Sequence, residues 1–266
     1  MNVVVCVKQV PDPEAPPATF KIDPSTNKVV PPAGVAPVIS PFDDQAVEAA
    51  LRLRDAQGAK VTVLSMGPAT AREVIKHALA MGADEGILLD DPAFEDADSY
   101  STALTLAAAI RKIGNIDLVL CGRQAADWDA GQVGSGVAEL LGWPCVTVAK
   151  KVEAQDGKLR VERVIEDGYE VVEVEAPAVV TVSNELGEPR YATVPRIMAA
   201  ARKPIPVWTA QELGLEASQV GGAGRRLKLL KLFIPEREGR CEVVEGENAA
   251  DAAAKLAERL RQEKIL

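Results

Sequence analysis

The run Leu120-Cys121-Gly122-Arg123-Gln124-Ala125-Ala126-Asp127-Trp128-Asp129-Ala130-Gly131-Gln132-Val133-Gly134 holds the residues best suited to bind a charged small molecule. Residues 116–120 lead into it as a buried, apolar strand. Residues 132–141 follow as a helix, with Val133, Val137, Leu140 and Leu141 at helical spacing. A polar loop between a strand and a helix leaves backbone N–H groups free at the helix start, where the helix dipole favours an anion. Gly131 and Gly134 let a phosphate approach the backbone closely. The run is neither a GxGxxG nor a Walker pattern. On mechanism alone, nucleotide binding therefore stands beside a plain structural turn. Asp43, Asp127 and Asp129 read as caps and polar loop residues, and no side chain reads as an acid–base catalyst or nucleophile.

Such a loop needs a sheet behind it, and the chain supplies one. Residues 3–7 form a first strand. Ser40-Pro41-Phe42-Asp43 opens a helix, with Ser40 as N-cap, Pro41 at the first helical position and Asp43 near the acidic position of a capping box. That helix ends at Gly58. A strand at 61–66, a helix at 70–81, a short strand at 87–89 and a helix at 99–113 follow. This alternation predicts an α/β fold, a parallel sheet with helices on both faces. Ligands in such sheets sit beyond the carboxyl ends of the strands, here after Val7, Met66 and Leu120. The pattern changes after Pro144. Two alternating runs around Asp167-Gly168 predict an antiparallel hairpin at 158–175, and 178–182 a buried strand. We therefore expect a nucleotide-binding α/β domain at 1–184 and a docking loop with a C-terminal arm at 185–266. The arm is rich in proline and ends in an amphipathic helix at 249–261. On composition it either packs on a partner or folds back on its own domain.

Composition narrows the function further. The chain has 266 residues, 47% of them hydrophobic, and a net charge of −9. The acidic balance argues against nucleic acid and anionic membranes as partners. No apolar run approaches a bilayer span, so direct membrane insertion is not expected. The N-terminus reads as a strand and not as a signal peptide, and a cytoplasmic setting is expected. Cys6, Cys121, Cys145 and Cys241 are far apart, with no CxxC, and read as reduced structural residues. A single histidine, His77, makes a zinc site or a His-based triad implausible.

The segment Glu188-Pro189-Arg190-Tyr191-Ala192-Thr193-Val194-Pro195-Arg196-Ile197-Met198 resembles the signature of the electron transfer flavoprotein beta subunit. Val5-Cys6-Val7-Lys8-Gln9-Val10-Pro11-Asp12, Ala78-Leu79-Ala80-Met81-Gly82-Ala83-Asp84 and Gly122-Arg123-Gln124-Ala125 match in the same order. The resemblance implies a heterodimer with a flavin-carrying alpha subunit that the C-terminal arm embraces. It implies nucleotide contacts at Cys6, at Ser40, Pro41, Phe42 and Asp43, at Met66, and along the loop at Arg123, Gln124, Asp127, Asp129, Ala130, Gly131, Gln132, Val133 and Gly134. It also implies that Glu162 lies near the alpha-subunit flavin. Leu186 would be the apolar anchor of a loop that recognises acyl-CoA dehydrogenases, with Arg190 and Tyr191 beside it.

Family members differ in the nucleotide they hold. AMP, a structural ligand, goes with Gly-Lys-Gln-Ala and an Asn-Gln-Thr-Gly run. Electron-bifurcating members hold FAD and read Gly-Arg-Gln-Ala, Asp-Gly-Asp and Ala-Gln-Val-Gly. This chain resembles the second type, with Trp128 in place of the usual glycine and Gly131 as an additional small residue. Such members pass electrons from NADH to ferredoxin or flavodoxin and, through the alpha-subunit flavin, to an acyl-CoA dehydrogenase or quinone reductase. Arg123 is a planar cation suited to a flavin edge, or to a phosphate. Trp128 is suited to stacking on a ring, or to capping the fold. FAD is the expected ligand and AMP the alternative. On the fold alone, an adenine-nucleotide sensor without a redox role is a third class.

Overall fold

Valine and leucine runs form the centre of the molecule. A computed structural model describes residues 1–155, 157–235, 239 and 241–266. In chain order, β1 (Asn2–Cys6) is followed by the short strands β2 (Gln9–Val10), β3 (Lys21–Asp23), β4 (Lys28–Val30) and β5 (Val38–Ile39). Then α1 (Pro41–Gln57), β6 (Lys60–Met66), α2 (Arg72–Met81), β7 (Glu85–Leu89), α3 (Ser99–Ile113), β8 (Leu118–Gly122) and α4 (Val133–Leu141) alternate. The hairpin region comprises β9 (Cys145–Gln155), β10 (Lys158–Ile165), β11 (Gly168–Glu175) and β12 (Ala178–Val182). Helix α5 (Val194–Arg202), β13 (Val207–Trp208), the single-turn α6 (Gly221–Gly224) and α7 (Ala249–Gln262) complete the chain.

Nine strands form one sheet in the order β11-β10-β9-β12-β8-β1-β6-β7-β13. All pairings from β9 to β13 along this order are parallel, while β9–β10 and β10–β11 are antiparallel. Strand β1 continues to β6 on one side, and the chain later crosses to β8 on the other. The order therefore reverses at β1, and the β1/β8 crevice is where a ligand is expected in such a sheet. Alternate β1 residues feed two cores. Val3 and Val5 pack with α1 and α2, and Val4 and Cys6 with α3 and α4. Helix stops follow backbone chemistry, with Gly58 left-handed after α1 and Gly142 left-handed after α4.

Three features differ from the sequence reading. An entire strand, β9, runs over residues to which the sequence reading assigned no element. It holds Val148 at φ 61°, inside a bulge where Val148 N–H donates to Thr181 Oγ1 at 3.0 Å. Ser40 sits at the N-cap of α1 but makes no side-chain cap bond. Its hydroxyl instead accepts from Ala126 N–H at 3.3 Å. The compact unit also does not end at 184. It comprises residues 1–21 and 29–230. Ala200, Ile205, Ala210 and Val220 are buried in it, and β13 extends its sheet beside β7. Isolated apolar residues spaced between prolines carry this packing, and they form no period that a sequence reading detects.

A second compact unit comprises residues 22–28 and 231–266. Within it, Asp23 accepts from Ser25 and Thr26 in a tight turn, and the Asn27 side chain accepts from Leu232 N–H. Asn248 caps α7 by accepting from Asp251 N–H at 3.0 Å, and no residue of α7 is buried. No helix among the described residues is long and apolar enough to cross a membrane.

Candidate functional site

Asp43 organises the crevice at the strand ends. It lies in the first turn of α1, where the sequence suggests a cap, but it caps nothing locally. Its Oδ2 accepts from Lys8 N–H at 2.8 Å, and its Oδ1 accepts from Gly122 N–H at 3.0 Å. One carboxylate thus ties the second residue after β1 to the last residue of β8. Asp43 is buried. Burial pushes its carboxyl up to about 7, against the two backbone N–H bonds and the Lys8 charge that hold it down. The close approach also explains Gly122. A Cβ there would lie 2.4 Å from Asp43 Oδ1 and 2.8 Å from the Phe42 carbonyl carbon.

The loop after β8 is tied down from several sides. Lys8 Nζ pairs with Asp127 at 2.7 Å. Gln124 Nε2 donates to Asp129 Oδ1 at 2.9 Å, and Asp129 N–H to the Ala125 carbonyl at 3.0 Å. Asp129 and Gly131 both take positive φ, which an aspartate tolerates and a glycine accepts freely. Arg123 N–H donates to the Val182 carbonyl, extending the β8–β12 ladder. Its guanidinium donates to Gln124 and lies 5.2 Å from the centre of the Phe42 ring. Among the described residues it forms no ion pair. Trp128 is 56% exposed at the tip of this loop.

Helix α4 begins at Val133 with Gln132 at the N-cap, and Gln132 makes no side-chain cap bond. The first-turn N–H groups are therefore open to an anion. Ala130, Gly131 and Gln132 are exposed before it, while Gly134 is buried against β8 and β12. Cys6 and Cys121 are register partners in the floor below. The Cys6 thiol and burial push the Cys121 thiol well above its ordinary value, so it stays protonated. Met66 is half-buried at the end of β6. The neighbouring connections are joined by Gln9 and Thr70, whose side chains bond at 2.9 Å. Ser40, Phe42, Asp43, Arg123, Gln124, Asp127 and Asp129 thus converge, and Lys8 is a member that the sequence reading named only as part of a segment. No His/Cys/Asp/Glu group suited to a metal ion occurs among the described residues.

The residues expected to meet partners do not join this crevice. Glu162 lies on β10, within 4.0 Å of Lys150, Lys151 and Arg160. Leu186, expected as an exposed anchor, is only 7% exposed and belongs to the α1/α2 core. A turn at Asn184–Leu186 directs it inward, and Arg52 holds its carbonyl at 3.0 Å. Arg190 is bound by Glu48 at 2.7 Å and Asp55 at 2.8 Å, while Tyr191 beside it is 91% exposed. Burial alone would raise the Glu48 carboxyl, but hydrogen bonds from Arg190 and Arg52 outweigh it and hold it below the ordinary range. Glu48 was not singled out in the sequence; its only local signal is the i,i+4 spacing to Arg52. A cleft of about 460 Å³ opens near these groups at the amino ends of β6 and β7, lined by Arg54, Lys60, Asp84, Arg190 and Arg196. Its Arg54, Lys60 and Arg190 are matched by Asp84, Glu85 and Glu48, so it seats the signature segment and is separate from the strand-end crevice.

Comparison with known proteins identifies the family. The family described as Electron transfer flavoprotein domain matches residues 29–213. The chain is 43% identical to the electron transfer flavoprotein subunit beta of Clostridium acetobutylicum, covering 99% of each. It is 41% identical to the Caffeyl-CoA reductase-Etf complex subunit CarD of Acetobacterium woodii, covering 100% of each. It is 34% identical to the acryloyl-CoA reductase electron transfer subunit gamma of Anaerotignum propionicum, again over 100% of each. With the family pattern spanning residues 29–213 and relatives matched end to end, this chain belongs to the electron transfer flavoprotein family as a beta-type subunit.

Proposed function

We propose that this chain binds FAD in the β1/β8 crevice and, paired with an alpha subunit, takes electrons from NADH. In this reading they pass to the alpha-subunit flavin and to a low-potential acceptor such as ferredoxin or flavodoxin. The observation that carries the reading is Arg123. It stands at the end of β8 beside Phe42; the Glu185 carboxylate lies within electrostatic range, but the two form no direct ion pair. A cation there stabilises negative charge on a ring system more than a structural AMP requires.

The crevice fits a nucleotide on its own features. The backbone at Gly131 is open, and α4 starts without a side-chain cap, so its N–H groups hold phosphate. Asp43 and Gly122 fix the spacing of the strand ends, and the Gln124–Asp129 and Lys8–Asp127 contacts hold the loop around them. When bound, FAD supplies the conversion between two-electron and one-electron transfer. The chain positions it and sets its charge environment. The names of the CarD and acryloyl-CoA reductase relatives support a CoA-thioester dehydrogenase or reductase as a partner. A quinone reductase is the other acceptor class.

Equilibrium dialysis against FAD and AMP tests the ligand. Preference for FAD supports the proposal. Retention of AMP with exclusion of FAD would make this a structural AMP-binding subunit whose partner carries the electrons.

A further inference from the structure

Resting on the reading of the crevice as a nucleotide site, we propose that Asp43 is a positioning residue. By accepting from Lys8 N–H and Gly122 N–H together, its carboxylate sets the distance between the β1 and β8 ends that a bound nucleotide requires. Both accepted bonds come from backbone, at 2.8 and 3.0 Å, and join segments 35 and 79 residues away in sequence. Direct β1/β8 pairing ends at Cys6 and Cys121; beyond it Val7 is held to β6 and Gly122 to β12, so Asp43 is the tie across the gap between them. It spans that gap at the point where the strand order reverses.

The consequence is proton linkage. A carboxylate accepts at both oxygens; a protonated carboxyl must turn one oxygen into a donor, facing an N–H that is itself a donor. One of the two bonds across the gap is then lost. Burial places the titration near neutrality, at about 7. The groups facing Asp43 are the Lys8 ammonium and the Asp127 carboxylate, with the Cys121 thiol below. Lys8 and Asp127 are paired with each other. In the same turn, the adjacent Asp44 pairs with His77 at 3.0 Å, and His77 is the only histidine in the chain. If only the ionised form is competent, a group titrating near 7 gives about tenfold tighter binding at pH 8 than at pH 6.

The test measures dissociation constants of AMP and of FAD for the full-length chain between pH 6 and 8. The chain itself, D43N and H77Q are compared. Binding should tighten about tenfold with rising pH in the chain and in H77Q. In D43N it should be weak and independent of pH, because an asparagine presents one acceptor at every pH. Binding that is independent of pH in the unaltered chain, or tighter in acid, overturns the inference and leaves the nucleotide site standing. Loss of the pH dependence in H77Q overturns it in favour of the histidine. No binding of either nucleotide at any pH overturns both the site and the inference.

Discussion

Gly134→Ala probes the start of α4 with a single methyl group. A Cβ at this position would lie 2.6 Å from Thr181 Cγ2, and 3.5 Å from Cys121 Cβ. Carbon atoms pack at about 3.5–4.0 Å, so α4 and β12 must separate by about 1 Å. Thr181 has no easy escape. It is buried, and its hydroxyl accepts from Val148 N–H at 3.0 Å, which fixes where Cγ2 points. Overpacking of this kind costs about 1–3 kcal/mol, while alanine gains about 1 kcal/mol over glycine within a helix. The net loss is about 0–2 kcal/mol, or at most about 8 °C in Tm for a chain of this size. The same movement displaces the first-turn N–H groups, so nucleotide retention should fall by more than Tm implies. Calorimetry and dialysis against FAD measure the two effects. The double variant Gly134→Ala with Thr181→Ser removes Cγ2 and keeps the hydroxyl, and should restore both. Unaltered nucleotide retention in the single variant, or no recovery in the double, refutes the packing argument.

Arg190→Ala leaves the buried Glu48 with only Arg52, and should destabilise the chain by about 3 kcal/mol in chemical denaturation, with part recovered when Glu48→Ala is added. Leu186→Ala, made in a buried position, should cost about 2–5 kcal/mol; a loss within 0.5 kcal/mol, read as in an exposed loop, would contradict its burial. Nucleotide-free chain should lose stability as pH rises. Asp43 moves from 3.8 when unfolded to about 7 when folded, so the folded state binds the extra proton between those values. The stabilisation is fully present below about 4, is lost as pH rises through 7, and is bounded at about 4 kcal/mol. Asp43→Asn should flatten this slope in thermal scans. Arg123→Ala should shift the potential of one bound flavin downward while leaving the other in place, and unchanged potentials for both would remove Arg123 from that role.

The parts legible in the sequence were those set by local chemistry. Residues 99–113 and 132–141 read as helices because apolar spacing and a closing glycine agree, and the structure places α3 and α4 there. The hairpin around Asp167-Gly168 followed from alternation. Strand β9 did not show itself. It carries Lys150 and Lys151 side by side and a bulge at Val148, and it is held by a parallel neighbour on one side and an antiparallel one on the other. Asp43 was legible as a residue of the site but not in its role. A helix-start aspartate looks like a cap, and its partner Gly122 is 79 residues away. Leu186 reversed its expected exposure for a similar reason, since Arg52 and the core of α1 hold the turn that buries it. Residues 185–230 looked like an arm because prolines hide packing that is made one residue at a time.

On the proposed function, the β1/β8 crevice holds FAD. The most direct measurement is to purify the chain with its alpha subunit, denature the complex, and quantify the released nucleotides by chromatography. Two FAD per heterodimer and no AMP are expected. One FAD with one AMP would contradict the proposal.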